Sequence, residues 1–464
     1  MASLRSGFLP RLFIFAVGTI LAAGSHALEL QSERESPAGV IKIPMMVRAD
    51  SPKIAISKEG KLIVAAAFEG RQWRVALFRF RPNGQVDRSF GKNGEALIGA
   101  DGTVASITEL ISQALSIQPD GRIVVAGMAK TARIAGGGFL LMRFLPDGRL
   151  DTSLDDRGWT STELGKSIDL AHDVTVQGDE KIVAAGGSTQ PAWLGSRYDF
   201  AIVRYLPDGR LDPLFGDKGK VIIRLGRASE DIAYAVKQDV AGRLVVAGRA
   251  NTGRASSAIA LLRLDAGGKL DPSFGQAGKV LFDLRGDSRA GSIAIQPDQA
   301  ILLVGDMRQR QSDKKYRQIG VAMRYTDAGK LDPAFGAGGI VSLPWVSALK
   351  AVKTQRDGKI VLLGVRLASE RSPAAIVVVR LNADGSVDPS FGEAGAVSLE
   401  QPHYPMASGL AVSDSDEIYV AGTVHGPRAN QGLIVFKLDA NGVADKAFGE
   451  ASAAAGLQRL ADEQ

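Results

Sequence analysis

The sequence offers few groups for acid–base or nucleophilic catalysis. Beyond the N-terminal leader it contains three histidines, His172, His403 and His425. Only His403, three residues after Glu400 and beside Tyr404, belongs to a local group of side chains typical of general acid–base chemistry. The chain has no nucleophile elbow, HExxH pair, phosphate loop or dinucleotide fingerprint. It also has no cysteine, which excludes disulfides, thiolate metal sites and Cys nucleophiles. We therefore expect no cofactor.

Basic and aromatic residues recur together between predicted strands. The densest segment, RQRQSDKKYR at 308–317, has five basic residues in ten. Arginine hydrogen-bonds carboxylate, sulfate or phosphate in pairs, and Trp or Tyr rings stack on sugars and cations. An anionic polymer would use these candidate residues: Arg308, Arg310, Lys314, Lys315, Tyr316, Arg317, Trp73, Trp193, Arg197 and Tyr198. The alternative is that these residues form solvated hairpin tips that keep the protein soluble.

Carboxylates four residues apart raise the question of a calcium site. Asp147–Asp151 and Asp208–Asp212 both lie in the sequence LPDGRLD. The D-G-x-x-D spacing lacks the ligand number of an EF-hand loop, and the first aspartate is Gly or Ala in other copies of this motif. We therefore predict a structural role for these carboxylates and no bound metal.

The LPDGRLD motif belongs to a repeat with a period near 60 residues. Its copies run from FRPNGQVDRSFG at 80–91 to LDANGVADKAFG at 438–449. A second motif, as in SIQPDGRIVVAG at 116–127, also occurs seven times, once before each copy of the first. The shared aspartates of the first motif are Asp87, Asp151, Asp212, Asp271, Asp332, Asp388 and Asp445. Seven units of constant length indicate a radial or stacked repeat protein.

A basic residue precedes each shared aspartate by eight positions. These residues are Arg79, Arg143, Arg204, Arg263, Arg324, Arg380 and Lys437. We predict a repeated ion pair that clamps one connection of each unit, with Phe215 and its equivalents filling the gap between neighbouring units. A buried pair of this kind specifies geometry more than it adds stability.

Each unit reads as four short strands. In 219–278 the apolar runs are Lys220–Leu225 (a), Ile232–Lys237 (b), Arg243–Gly248 (c) and Ala258–Leu264 (d). Runs of about six residues flanked by Gly, Asp, Pro or Ser indicate strands. The predicted fold is all-β, a seven-bladed β-propeller of four-stranded antiparallel blades.

The ends of the repeat are less regular. Val40–Ser57 aligns with Ala396–Ser413, so we place strand a of the first blade in the N-terminal segment. Ala453–Leu460 resembles a spare strand a, and residues 451–464 are either a closing strand or a tail, of which we favour the tail. The predicted domains are therefore a leader at 1–27, a linker at 28–38 and the propeller at 39–450.

The two motifs together resemble the delta-60 repeat, found in bacterial exported proteins and regarded as a β-propeller of unknown function. The resemblance covers about residues 39–450 and implies the fold and export, without catalytic residues to transfer. The second copy departs from the pattern, with Leu154-Asp155 where the others carry Phe-Gly.

The first 27 residues are typical of a secretory signal peptide. Arg5 and Arg11 precede the apolar run Leu12–Ala23, which is too short to span a bilayer comfortably, and Ser25-His26-Ala27 supplies a cleavage site. No later segment is long and apolar enough to span a membrane. Removal of the two arginines lowers the formal charge from +6 to +4, which is too mild to indicate nucleic acid. We expect an exported protein, periplasmic or secreted.

Strand alternation places the repetitive b–c and d–a connections on one face and the variable a–b and c–d connections on the other. Variable loops on a rigid scaffold favour binding, so we expect a non-enzymatic binding or scaffold module for an anionic polysaccharide or an envelope protein. The alternative is a lyase or hydrolase with its site at the central channel mouth, near His403 and Glu400.

Overall fold

The computed structural model describes residues 39–44, 52–69, 73–99, 107–131, 136–165, 167–190, 197–226, 230–251, 257–310, 316–369, 373–400, 405–424 and 432–449. These residues form 28 strands and contain no helix, and so no helix that could cross a membrane. The strands make seven four-stranded antiparallel sheets, which confirms the predicted propeller. The leader, the linker and residues 451–464 lie outside the described residues.

The four strands of each blade lie side by side from the axis to the rim, and they are named in that order. Blades 1 to 4 are β2 (Lys53–Ile56), β3 (Leu62–Glu69), β4 (Trp73–Phe80), β5 (Glu95–Ile98); β6 (Ile107–Ile117), β7 (Ile123–Thr131), β8 (Gly138–Phe144), β9 (Trp159–Thr162); β10 (Asp169–Val176), β11 (Ile182–Gln190), β12 (Arg197–Tyr205), β13 (Lys220–Ile223); and β14 (Ile232–Gln238), β15 (Leu244–Asn251), β16 (Ser257–Leu264), β17 (Lys279–Phe282). Blades 5 to 7 are β18 (Asp287–Ile295), β19 (Ile301–Arg310), β20 (Tyr316–Tyr325), β21 (Ile340–Leu343); β22 (Ala348–Thr354), β23 (Ile360–Arg366), β24 (Ala375–Leu381), β25 (Ala396–Glu400); and β26 (Pro405–Val412), β27 (Ile418–Val424), β28 (Gly432–Leu438), β1 (Val40–Pro44).

Burial of the strands follows their position in the blade. The third strand β16, SAIALLRL, is buried along its whole length because both of its faces pack against neighbouring blades. The fourth strand β17, KVLF, is half-exposed because it forms the outer edge. A continuous apolar run therefore marks a central strand, and a short mixed run marks the rim.

The predicted starting point of the blade was wrong by one strand. Strand a, placed first in each blade, is the outer fourth strand of the preceding blade: β17 pairs with β16 and not with the next inner strand. The order of strands along the chain is the same whether a blade begins at strand a or at strand b, so only the hydrogen bonds between strands distinguish the two assignments. The N-terminal segment correspondingly does not belong to the first blade.

The N-terminal strand instead closes the ring. β1 pairs antiparallel with β28, from Val40 opposite Phe436 to Pro44 opposite Gly432, and completes blade 7. Each inner strand contacts the next inner strand around the axis, and β26 contacts β2. The last blade is thus built from both ends of the repeat array, which links the two ends by backbone hydrogen bonds.

Moving the start of each blade by one strand does not change which connections lie on which face of the propeller. The hairpin from the first to the second strand and the hairpin from the third to the fourth lie on one face, which we call the repetitive face. The hairpin from the second to the third strand and the crossing from the fourth strand to the next blade lie on the opposite face, which we call the variable face.

Candidate functional site

The repeated basic residue and aspartate form an ion pair in every blade. The N–O distances are 2.9, 2.6, 2.8, 2.8, 2.7 and 2.7 Å for the six arginine pairs, in chain order. In the seventh, Lys437 Nζ lies 3.2 Å from Asp445 and 2.7 Å from Glu417. The aspartate also accepts the backbone N–H two residues ahead, so it holds the third-to-fourth hairpin in place.

Each of the six arginines also joins its blade to the next. The Nη1 of Arg204 donates to the Ala266 carbonyl of blade 4, and the guanidinium of Arg204 lies 4.4 Å from the centroid of the Phe215 ring. Phe215 is fully buried, and its ring lies against the backbone of Gly268 in blade 4. These repeated residues therefore have their polar groups occupied by the fold.

The irregular second copy keeps the same corner geometry. Leu154 is fully buried in the place of the phenylalanine. Asp155 has φ of 51°, close to the 54° of the equivalent Gly216, and its N–H donates to the Asp208 carbonyl of the next blade. Aspartate tolerates the left-handed conformation better than most residues, so the substitution preserves the hairpin.

The first aspartates of the candidate calcium motif are paired with basic side chains. Asp147 and Asp208 each pair with the arginine two residues ahead, Arg149 and Arg210. Among the described residues, no three His, Asp or Glu side chains approach closely enough to hold a metal ion.

Several acidic residues of the fourth-to-first crossings also serve the fold. Asp169 is fully buried, and its Oδ2 accepts the N–H groups of Leu164 and Gly165. Asp231 holds Leu225 and Gly226 in the same way one blade later. These carboxylates pin the crossing between blades and are not available to a ligand.

The predicted acid–base group is only partly described. Glu400 ends β25 with an exposed carboxylate 3.8 Å from the guanidinium of Arg366. His403, Tyr404 and His425 lie outside the described residues. His172 lies in the central channel, where burial, together with the charge of Lys53, lowers its pKa to about 4. A proton acceptor with that pKa is a weak base at neutral pH.

Much of the predicted basic rim lies outside the described residues. Trp193, Lys314 and Lys315 fall there, and only the backbones of Trp73, Arg197 and Arg310 are described. Tyr198 is half-buried in β12. The described rim residues that remain accessible are Arg308, Tyr316 and Arg317 of blade 5.

We call these three residues, together with Trp345 in the crossing to blade 6, the blade-5 patch; Arg308 and Tyr316 lie on one face of the β19–β20 hairpin and Arg317 on the other. The guanidinium of Arg308 lies 4.2 Å from the centroid of the Tyr316 ring. Arg317 Nη2 donates to the Pro344 carbonyl at 3.1 Å, next to Trp345 in the crossing to blade 6. Tyr316 is 55% exposed and Trp345 40% exposed. The patch therefore offers two arginines and two accessible aromatic rings, in two neighbouring contacts at one hairpin and the adjoining crossing.

Several described basic residues of the variable face pair with carboxylates, although Arg285, exposed in the crossing to blade 5, has no described carboxylate partner. Lys130 pairs with Glu109, Arg249 with Glu230, and Arg366 with Glu400. No described carboxylate pairs with Arg308 or Arg317. An anion at the patch therefore would not compete with a carboxylate of the described residues.

The central channel holds residues that the repeat motifs do not contain. In six blades the inner strand carries a β-bulge whose extra residue lines a cavity of about 140 Å³ on the axis. The bulged residues are Gln113, His172, Tyr234, Gly291, Lys350 and Ser408. Bulges re-aim side chains and occur next to functional sites.

A sequence signal for these residues exists. Each bulged residue stands five positions before the residue that opens the first-to-second hairpin, for example His172 before Gln177. The glycine of the VVAG motif faces the bulge: a Cβ on Gly248 would lie 2.0 Å from the Ile232 carbonyl oxygen. The constant spacing and the glycine together could have located the channel column.

Five segments of the chain, residues 59–90, 118–154, 177–215, 242–274 and 355–391, match a family model described as "Domain of unknown function (DUF5122) beta-propeller". These segments resemble the repeats of that family. The match confirms the resemblance inferred from the two motifs. Each matched segment begins at or near the first-to-second hairpin and ends at or next to the corner phenylalanine or its replacement Leu154. The residues that line the channel therefore fall outside the matched segments.

Solved structures with a similar fold span enzymes and proteins of unknown function. A protein of unknown function from Dyadobacter fermentans is 14% identical, with 87% of this chain and 98% of that chain covered and a TM-score of 0.43. A PL25 ulvan lyase bound to -[GlcA(1-4)Rha3S]- is 10% identical, with 88% and 96% covered and a TM-score of 0.50. A Penicillium chrysogenum α-L-arabinanase in complex with arabinobiose is 12% identical, with 88% and 99% covered and a TM-score of 0.44. Identities this low bear on the fold alone, and no curated protein matches the chain.

Proposed function

We propose that the chain is an exported, non-enzymatic binding module that holds an anionic glycan on its variable face. The observation that carries this proposal is the blade-5 patch, in which two arginines without a described carboxylate partner stand beside two exposed aromatic rings. Export rests on the signal-peptide pattern of residues 1–27.

The chemistry of the patch suits a chain of acidic sugars. Guanidinium groups donate paired hydrogen bonds to carboxylate or sulfate, and the rings of Tyr316 and Trp345 offer flat apolar surfaces to the faces of sugar rings. An exposed ion contact in water contributes little alone, so affinity would come from several units binding along the face. The ulvan lyase of similar fold was solved with a saccharide of glucuronate and sulfated rhamnose, which is compatible with this ligand class.

The enzyme alternative has weaker support. It depends on His403 and Glu400, of which His403 lies outside the described residues and Glu400 faces Arg366. No described contact brings a second titratable group to Glu400 in the manner of an acid–base pair. The binding proposal therefore stands first.

The test compares two variants of equal charge. Arg308→Ser with Arg317→Ser removes the cations of the patch, and Lys269→Ser with Lys330→Ser removes two exposed cations from the repetitive face. Binding of a polyuronate and of a sulfated polysaccharide is measured for both variants and the wild type at low and moderate salt. We expect the patch variant to bind about tenfold more weakly, because each lost contact is a charge-assisted hydrogen bond.

Two results would count against the proposal. Equal binding by the patch variant and the control would show that the patch is not the site. Absence of binding to both polymers would remove the glycan as ligand and leave an envelope protein as the partner to test.

A further inference from the structure

The central channel concentrates positive charge on the axis of the propeller. Four lysines line the cavity, Lys53 from β2, Lys237 from β14, and Lys350 with Lys353 from β22. Asp173 of β10 is the only carboxylate among the lining residues. The remaining lining side chains are neutral, so the described wall carries an excess of cations.

The single carboxylate is already occupied. Asp173 Oδ2 accepts hydrogen bonds from Lys237 Nζ at 2.8 Å and from the Val236 N–H at 2.9 Å. No described carboxylate forms an ion pair or a hydrogen bond with Lys53, Lys350 or Lys353. The nearest other carboxylate that acts on Lys350 is Asp306, which pairs with Arg289 at 3.0 Å. Within the described part of the chain, three ammonium groups therefore lack a counter-charge in contact.

The lysines also act on one another, which shows that they share one space. Burial lowers the pKa of Lys53, and Lys237 lowers it further while Asp173 opposes the change. Burial lowers the pKa of Lys350 to about 8, with Arg289 and Lys53 adding to the effect. Burial and Lys237 also lower the pKa of Lys353, although water in the channel reaches this side chain. Like charges gathered in this way destabilise the protein unless an anion binds between them.

Neutral hydrogen-bonding groups complete the wall. His172 and Tyr234 sit at the bulges of adjacent blades with their ring centroids 5.0 Å apart. Gln113 and Ser408 occupy the equivalent bulges of two further blades. Because the bulged residue changes from blade to blade while the rest of the strand is repeated, the fold carries a variable set of side chains around a fixed axis.

We propose that the channel binds a small oxyanion of two or three negative charges, held by Lys53, Lys237, Lys350 and Lys353. The cavity has room for several waters or for one such ion; the ammonium groups of Lys53, Lys350 and Lys353 can turn to an anion, and Lys237, which also bonds to Asp173, adds its charge from a third side of the ring. The charge excess in the wall favours a multiply charged anion over chloride or a monocarboxylate. The site is separate from the blade-5 patch and does not depend on it.

Calorimetric titration of the purified chain tests the proposal. Inorganic phosphate and citrate are titrated at pH 7 and constant ionic strength, with acetate and chloride as singly charged references. We expect saturable binding of one anion per chain for phosphate, citrate or both, and none for acetate. Binding of phosphate alone assigns a phosphate-bearing ligand, and binding of citrate alone assigns a polycarboxylate.

Matched variants locate the bound anion. Lys350→Met with Lys353→Met removes two channel cations, and Lys269→Met with Lys330→Met removes two exposed ones on the repetitive face. We expect the channel variant to bind at least tenfold more weakly and the control to bind as the wild type does. The patch variant, Arg308→Ser with Arg317→Ser, should also bind phosphate or citrate as the wild type does.

Thermal unfolding provides a second readout, in which the channel variant should exceed the wild type although it binds the anion more weakly. Without an anion the channel variant should melt at a higher temperature than the wild type, because it removes one charge that repels Lys53 and Arg289 and another that repels Lys237. In the wild type the anion should raise the melting temperature, and in the variant this rise should be largely lost. Lys53→Met alone serves if the double variant fails to fold.

The pH dependence adds a check that involves every charged group facing the site. These groups are Lys53, Lys237, Lys350, Lys353, Asp173, His172, Tyr234, Arg289 and Asp306. Between pH 7 and 9 the group whose pKa is about 8 is Lys350, so affinity for citrate, whose own charge changes little above pH 7, should fall across this interval as the lysine loses its proton. Absence of binding, equal binding by the channel variant, or equal binding of acetate would overturn the proposal.

Discussion

Replacing Arg380 tests the contacts that hold adjacent blades together. Its side chain is 2% exposed, and its Nε lies 2.7 Å from Asp388, whose side chain is 6% exposed. Its Nη1 donates to the Ala440 carbonyl of blade 7, and its Nη2 donates to Ser390 Oγ at 3.1 Å. The guanidinium also lies 4.7 Å from the centroid of the Phe391 ring.

Arg380→Ala should destabilise the protein by about 3 kcal/mol. Breaking a buried ion pair costs about 3–5 kcal/mol when it strands the partner charge. The lower end applies here because Lys359 Nζ remains 3.2 Å from Asp388. Arg380→Lys should lose less, about 1–2 kcal/mol, since a lysine can keep the pair but not the fork that reaches both blades. Blade 7 already carries a lysine, Lys437, at this position.

Urea unfolding measures the loss for each variant. Hydrogen exchange of blades 6 and 7 locates it, because a seven-blade array need not unfold in two states. Arg380→Met with Asp388→Leu is the matched comparison: it removes both charges, so it should recover only the part of the loss that comes from the stranded carboxylate, while the contacts with Ala440 and Ser390 stay lost. A change below about 1 kcal/mol for Arg380→Ala would refute the view that this residue clasps the blades.

Gly248→Ala should destabilise the protein by about 1–3 kcal/mol, because its Cβ would meet the Ile232 carbonyl oxygen at 2.0 Å and the Phe200 ring at 2.8 Å. Urea unfolding measures this, with Gly267→Ala, where the nearest atom would be 3.4 Å away, as the control; equal effects would contradict the bulge geometry. Stability should also fall on acidification in two stages. The pKa of His172 is lowered to about 4, so the unfolded chain binds its proton first and stability begins to fall near pH 6.5. The second stage comes from corner aspartates and lies below about pH 4. Burial raises the pKa of these carboxyl groups, but hydrogen bonds (above all that of Ser273 with Asp271) and nearby cations outweigh burial and lower the pKa. The aspartates with a lowered pKa are Asp87, Asp151, Asp212, Asp271 and Asp388. Unfolding curves from pH 8 to 3 check both stages, and a flat profile down to pH 4 would contradict the first.

The number of blades and the strand content could be predicted from the sequence because the two motifs encode hairpins. The Asp and Gly of the DPSFG motif and the glycine of PDGR have local conformational roles that are visible in most copies. The phase of the blade was not predictable in this way. Whether β17 pairs with β16 or with the following strand depends on contacts between strands, and both orders give the same sequence of turns.

The candidate sites also divide into residues marked by the local sequence and residues brought together by contacts between distant strands. Arg308, Tyr316 and Arg317 were predictable because composition alone marks an unusual hairpin. Trp345 was not predictable as a member of the patch, since its place near Arg317 follows from the pairing of β20 with β21 in blade 5. The four channel lysines were missed because each resembles an ordinary surface lysine in a half-buried strand. Their meeting on the axis depends on the closure of the whole ring and on the bulges.

Footprinting by hydrogen–deuterium exchange tests most directly whether the variable face binds an anionic glycan. The purified chain is measured alone and with a saturating polyuronate, and protection is mapped onto the two faces. We expect protection of the β19–β20 hairpin and of the crossing that contains Trp345, with the repetitive corners unchanged. Protection of the corner hairpins, or no protection in the presence of the polyuronate, would contradict binding at the blade-5 patch.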